Sequence, residues 1–227
     1  MRFLKSIILA VFLMAISSNS FAISYKRFFQ DVKFRTQAAI EKQEFTNPAA
    51  AGTADILSAN AGNTSAAAAS ATTFVAQPDV PRNLVITPGG TTADVAACTI
   101  NVVGTDFHDE SINEDFAFLA NASTATTGSK AFKTVTTVSF PAACEDSPFG
   151  ATWSVGYGEK LGLKRCLAVA GDILFSTVAG AKEGTAPTMA ADAANIEGNT
   201  ADFNGTMNGS NDFILYFIQN FAQGCQP

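Results

Sequence analysis

The chain has 227 residues, of which only 15% are charged, with a formal net charge of −6 at pH 7 and a single histidine. One histidine leaves no material for a Ser-His-Asp triad or a multi-histidine metal centre beyond His108 itself. Alanine, threonine, glycine, serine and asparagine dominate the middle of the sequence, a bias that suits β-structure joined by tight turns and fits a long helical bundle poorly.

Residues 1–22 read as a secretory signal. Arg2 and Lys5 form a basic start, "SIILAVFLMAI" is an apolar run, and Ser20 and Ala22 are the small residues before a cleavage point. The apolar run is too short for a comfortable membrane span. The alternative is an uncleaved N-terminal helix packed on the protein or on a neighbour. Residues 23–52 form a basic arm. Within it, "SYKRFFQDVKFRTQAAIEKQEF" sets Phe28, Val32, Phe34 and Ala38 among charges, the pattern of a short amphipathic helix or a docking arm. Pro48 and Gly52 end it. The arm from 23 to 50 carries a balance of +2, whereas residues 51–227 carry −10. An acidic body of that kind repels nucleic acid.

Residues 53–77 are rich in alanine, serine and threonine, a composition that fits a linker or an edge strand. The β domain is expected over 78–227. "NLVITP" reads as a strand ended by Pro88-Gly89-Gly90, and "CTINVVGTDF" as a second with Cys98, Ile100 and Val102 on one face. "HDES" turns the chain, and "INEDFAFLA" returns it with Ile112, Phe116 and Phe118 together. "GSKAFKTVTTVSF" reads as one strand carrying Phe132, Val138 and Phe140, and "ATWSVGY" as another carrying Trp153, Val155 and Tyr157. "NDFILYFIQNF" is apolar on both faces, with Phe213, Leu215 and Phe217 pointing one way. It is expected to be a central strand or to lie under a subunit contact, because so large an apolar patch is unusual on a soluble monomer. The whole reads as mainly β, a sandwich or barrel-like domain with a short helical N-terminal arm.

Three groups of residues invite a chemical reading. The run Gly156, Gly158, Gly162 lacks the G-x-G-x-x-G spacing of a dinucleotide cradle, since position 161 is leucine. It is expected instead to turn the chain at a strand end, with glycines chosen for positive φ or close packing and Lys160 on the turn. "DFHDESINED" gathers Asp106, His108, Asp109, Glu110, Glu114 and Asp115, but not in the spacing of a calcium loop, and no spacing in it singles out a proton donor and partner for glycosidic cleavage. A solvated hairpin tip is the expectation, with no metal, cofactor or catalytic residue assigned. The four cysteines, Cys98, Cys144, Cys166 and Cys225, show no CxxC spacing. In an exported chain they would form two disulfides in any of three pairings; in a cytoplasmic one they would be buried thiols.

The strings "QPDVPRNLVITPGGTTADVAACTINVVGTDF", "INEDFAFLANASTATTGSKAFKTVTTVSFP" and "GATWSVGYGEKLGL" resemble a pattern in small structural proteins of tailed bacteriophages, treated as head decoration or minor virion proteins. The matching positions are Pro78 to Asn83, Gly104 to Asp106, Gly128 to Thr136 and Gly158 to Leu163, within a similarity spanning roughly residues 46–221. The resemblance implies a virion location, the major capsid protein or other virion subunits as partners, and a homo-oligomer, with a trimer the expected form. Strand faces and the arm would make the contacts, through Phe28, Phe29, Phe34, Phe213, Leu215 and Phe217. The export-like start and the cysteines depart from that pattern and favour an exported surface or appendage subunit as the alternative.

Overall fold

The computed structural model describes residues 38–61, 69–141, 144–146, 150–167 and 169–220. The chain divides into two compact units, Met1–Ala39 with Asn220–Ala222 and Ile40–Gln219 with Gln223–Pro227; the architecture below belongs to the second, apart from the outer ends of its first and last strands. The signal-like segment, residues 23–37 of the arm and Cys225 lie outside the described residues.

Fourteen strands are described: β1 (Ala38–Phe45), β2 (Leu57–Ala61), β3 (Ala69–Ala71), β4 (Arg82–Gly90), β5 (Cys98–Thr105), β6 (Ser111–Phe118), β7 (Thr126–Phe132), β8 (Thr134–Phe140), β9 (Ala151–Gly162), β10 (Ile173–Val178), β11 (Ala181–Lys182), β12 (Thr188–Ala190), β13 (Thr200–Asp202) and β14 (Phe213–Asn220). Helical structure among the described residues is confined to three single turns, Thr92–Asp94, Ala170–Asp172 and Ile196–Gly198. The strands form three sheets, ordered β12-β13-β9-β4-β7 with β2 also on β9, β3-β8-β5-β6, and β1-β14-β10-β11. Every strand pairing whose register is described is antiparallel.

Alternation of apolar residues along the strands builds a sandwich core between the first two sheets. Leu84, Ile86, Trp153 and Val155 come from one sheet and meet Ile100, Val102, Phe116, Val138 and Phe140 from the other, all at or near zero exposure. Phe118 stands edge-on to Trp153 with ring centroids 4.8 Å apart. A second core joins Phe45, Phe213, Leu215 and Phe217 of the third sheet to Leu161, Leu163, Ala201 and Phe203. The twelve-residue strand β9 serves both, with Trp153 and Val155 in the first core and Leu161 in the second.

Four expectations need correction. Residues 38–45 of the arm are strand β1 rather than helix, since alternate positions Gln43 and Phe45 are buried while Lys42 and Glu44 are exposed. "GSKAFKTVTTVSF" is not one strand: the chain leaves the first sheet as β7 and enters the second as β8 across Lys133, whose amide donates to Thr105 O at 2.8 Å. A register shift opposite Val103 and Gly104 then inserts an extra residue in β8, which lets both Val135 and Val138 face inward. The sequence "GYGEKLG" is not a turn either, because β9 runs through it to Gly162, with Lys160 paired to Asp202. Finally, "NLVITP" does not end at its proline; β4 continues to Gly90, which alone in that stretch has a positive φ, 70°.

The alanine-, serine- and threonine-rich stretch supplies β2, which pairs with β9, and β3, the outer strand beside β8. The C-terminal strand β14 lies between β1 and β10, a central position in its sheet.

Candidate functional site

Residues 77–83, 128–135 and 158–162 converge at one junction. Arg82 opens β4 with its side chain wholly buried, and each of its five N–H groups has an acceptor. Nε and Nη2 donate to Gly158 O, Nη1 to Ala49 O and to Asp79 Oδ1 at 3.0 Å each, and Nη2 to Met207 Sδ at 3.4 Å. The guanidinium also lies 4.5 Å from the centroid of the Tyr157 ring. Asp79 completes the tie by accepting Ala49 N through Oδ2 at 2.6 Å. Next to Arg82, the buried Asn83 donates from Nδ2 to Gly128 O and accepts Lys160 N on Oδ1. Gln77 bonds both backbone groups of Val135, and Pro81 O accepts Gly162 N.

The glycines fit the same account. A Cβ at Gly158 would stand 2.5 Å from Asn83 Oδ1, and one at Gly162 would stand 2.5 Å from the Ala131 Cβ. Neither has a positive φ, so close approach rather than turn geometry requires glycine there. Arg82 and Asn83 are buried and hold backbone to backbone, while Gln77 and Asp79 stand exposed at the rim of the junction.

Around this junction burial pushes the Tyr157 hydroxyl above its ordinary value of 10.0, with the Asp55 and Asp79 charges adding to the effect and Arg82 opposing it. Elsewhere the Asp192 carboxyl is held below its ordinary value, first by the Asn195 side chain and then by the Ala194 amide. That loop is organised on Asn199, whose Oδ1 accepts Leu167 N and Asp192 N while Nδ2 donates to Asp192 O and Asn195 O.

The acidic segment does not assemble into a ligand set. Among the described residues no group of three or more His, Cys, Asp or Glu is placed to hold a metal ion. Asp106 is buried and closes the turn by accepting His108 N and Glu110 N on Oδ1. Asp109 occupies the left-handed region at φ 67° and pairs with Lys133 Nζ at 2.8 Å. Glu114 is drawn away from the tip. Its Oε1 accepts Ser129 N at 2.6 Å and Ser129 Oγ at 2.9 Å and also meets Lys130 N, so it ties β6 to the neighbouring β7 across two sheets.

Cys98 and Cys144 form a disulfide across 46 residues, and Cys166 is disulfide-bonded as well. The bridge secures the start of β5 to the segment before β9, which is further held by the Val95–Glu145 bridge, by Asp146 N donating to Asp94 O and by Gly150 N donating to Asp94 Oδ2.

The residues expected to make partner contacts are placed differently. Phe28, Phe29 and Phe34 lie outside the described residues. Phe213, Leu215 and Phe217 have zero exposure and fill the second core, so they face this chain's own interior. The opposite parity of β14 is the accessible one. Ile218 is exposed, Tyr216 is half-buried and stacks on Phe175 of β10 with centroids 4.4 Å apart, and Ile40 of β1 is 70% exposed. Lys42 sits on this face with its ammonium 2.7 Å from Glu44; that hydrogen bond is the first cause of its raised pKa. The outer face of the sheet β1-β14-β10-β11 is therefore the candidate contact surface. Sequence parity contained the signal, since β14 is apolar on both faces, but parity alone does not say which face the chain covers itself.

No protein-family model, curated protein or solved structure matches the chain. No helix among the described residues is long and apolar enough to cross a membrane.

Proposed function

We propose that the chain is a non-enzymatic structural subunit of a virion, one that decorates or stabilises a tailed-phage capsid through contacts with the major capsid protein or other virion subunits. The observation that carries this reading is the junction at Arg82 and Asn83, where the segments 78–83, 128–136 and 158–163 meet by hydrogen bonds and close backbone approach. A pattern whose polar members are consumed in holding strands together belongs to a scaffold, and a scaffold works through its surface. The virion setting itself rests on the resemblance of those segments to phage structural proteins.

The disulfide Cys98–Cys144 favours a second reading, an exported surface or appendage subunit, because such bonds persist in oxidising compartments. One experiment separates the two. Particles produced without this gene are mixed with the purified full chain and sedimented. The virion reading expects saturable co-sedimentation; a chain that stays in the supernatant at every ratio contradicts it.

A further inference from the structure

We propose that β1 is a self-pairing edge, through which two copies of this chain join antiparallel and continue the sheet β1-β14-β10-β11 across a two-fold axis. The inference does not depend on the virion reading. β1 is the outer strand of its sheet, and among the described residues no other strand lies beyond it. Eight residues make a long edge, and strand edges are templates for pairing with another chain.

The side chains restrict how a second copy can add. Gln43 and Phe45 are buried on the inner face, and Gln43 is held there by Gly162 O and Lys164 N, so a partner strand must keep the same inward and outward parity. On the outer face stand Ile40, Lys42 and Glu44, all exposed. An antiparallel register with Gln43 opposite its own copy sets Lys42 against Glu44 of the second chain, twice, by symmetry. The neighbouring in-phase registers set Lys42 against Lys42 or Glu44 against Glu44. Opposite charges directly across an antiparallel pair stabilise it and like charges oppose it, so the charge pattern of β1 selects one register.

The Lys42–Glu44 ion pair within the strand, 2.7 Å long between two exposed groups, is exchanged for two equivalent pairs between copies. Lys164 stands at the same edge, donating to Lys42 O at 2.9 Å and pairing with Glu41 at 2.8 Å; its carbonyl acceptor keeps a second lone pair for a partner amide. Pairing would also bring the exposed Ile40 of each copy beside the seam.

The test uses the full chain and two single variants. K42E leaves two glutamates on the outer face, and E44K leaves two lysines. Sedimentation-velocity mass over a concentration series should show a dimer for the native chain and about tenfold or weaker self-association for each variant, because both cross-strand pairs become repulsive. An equimolar mixture of K42E and E44K should recover the dimer as a heterodimer, since every facing pair is again opposite in sign. Mixing cannot restore an ion pair within one strand, so recovery assigns the effect to contact between copies. A native chain that is monomeric throughout, or variants that keep the native mass, or a mixture that stays monomeric, overturns the proposal.

Discussion

At the scale of single residues, Arg82 carries the most structural consequence. It is a fully buried cation with five satisfied donors, and it links Asp79, the chain at Ala49, β9 at Gly158 and the loop at Met207. Lysine cannot reproduce the planar fork, so even R82K leaves Gly158 O and Asp79 short of partners. Both R82K and R82A are expected to lower stability by about 1–3 kcal/mol, the cost of leaving a buried acceptor such as Gly158 O unsatisfied, since the exposed Asp79 can take water instead. Denaturant unfolding monitored at Trp153 checks this. Beside it, Tyr157 has a raised hydroxyl pKa, so the neutral form is the one the folded state favours. Its contribution is fully present below the ordinary value of 10.0 and is lost as pH rises through the higher folded value. Titration of tyrosinate absorbance should therefore show a late component that disappears in Y157F.

At the scale of elements, the hairpin between β5 and β6 shows how turn geometry discriminates between adjacent acids. Glu110→Ala at the tip should change stability by no more than about 0.5 kcal/mol, as exposed charges usually do. Asp109 is different because its φ of 67° disfavours a Cβ without a local hydrogen-bonding group. D109A should cost about 1–2 kcal/mol while D109G is near neutral, a contrast readable in melting temperature. The Cys98–Cys144 bridge spans 46 residues and, in the chain-entropy account, contributes about 4 kcal/mol. The paired C98S/C144S variant should lose most of that by the same measurement. Much of this architecture was legible beforehand. Alternation in "CTINVV", "INEDFAF" and "ATWSVGY" placed Ile100, Val102, Ile112, Phe116, Trp153 and Val155 in the core, where they are. What alternation could not convey was the break at Lys133 or the continuation of β9 through Gly158. Both depend on partners distant in sequence, Thr105 in the first case and Asn83 in the second. The candidate surface was half legible for a similar reason: β14 announced two apolar faces, and only the packing of Phe45 and Phe203 against Phe213 decides which is inside.

At the scale of the whole molecule, two cores share one long strand, and Gln77, Arg82 and Asn83 hold strands together. The acidic segment is divided between a turn and a seam, and the described residues present an outer sheet face with apolar and paired charged groups. On the function proposed above, the chain acts by fitting against neighbours that are subunits of a virion. Quantitative mass spectrometry of gradient-purified particles, set against the major capsid protein, tests this most directly. The account predicts the chain at a fixed stoichiometry that survives repeated purification. Its absence from particles, together with recovery in the cell envelope or the medium, would contradict the account and leave the exported subunit in its place.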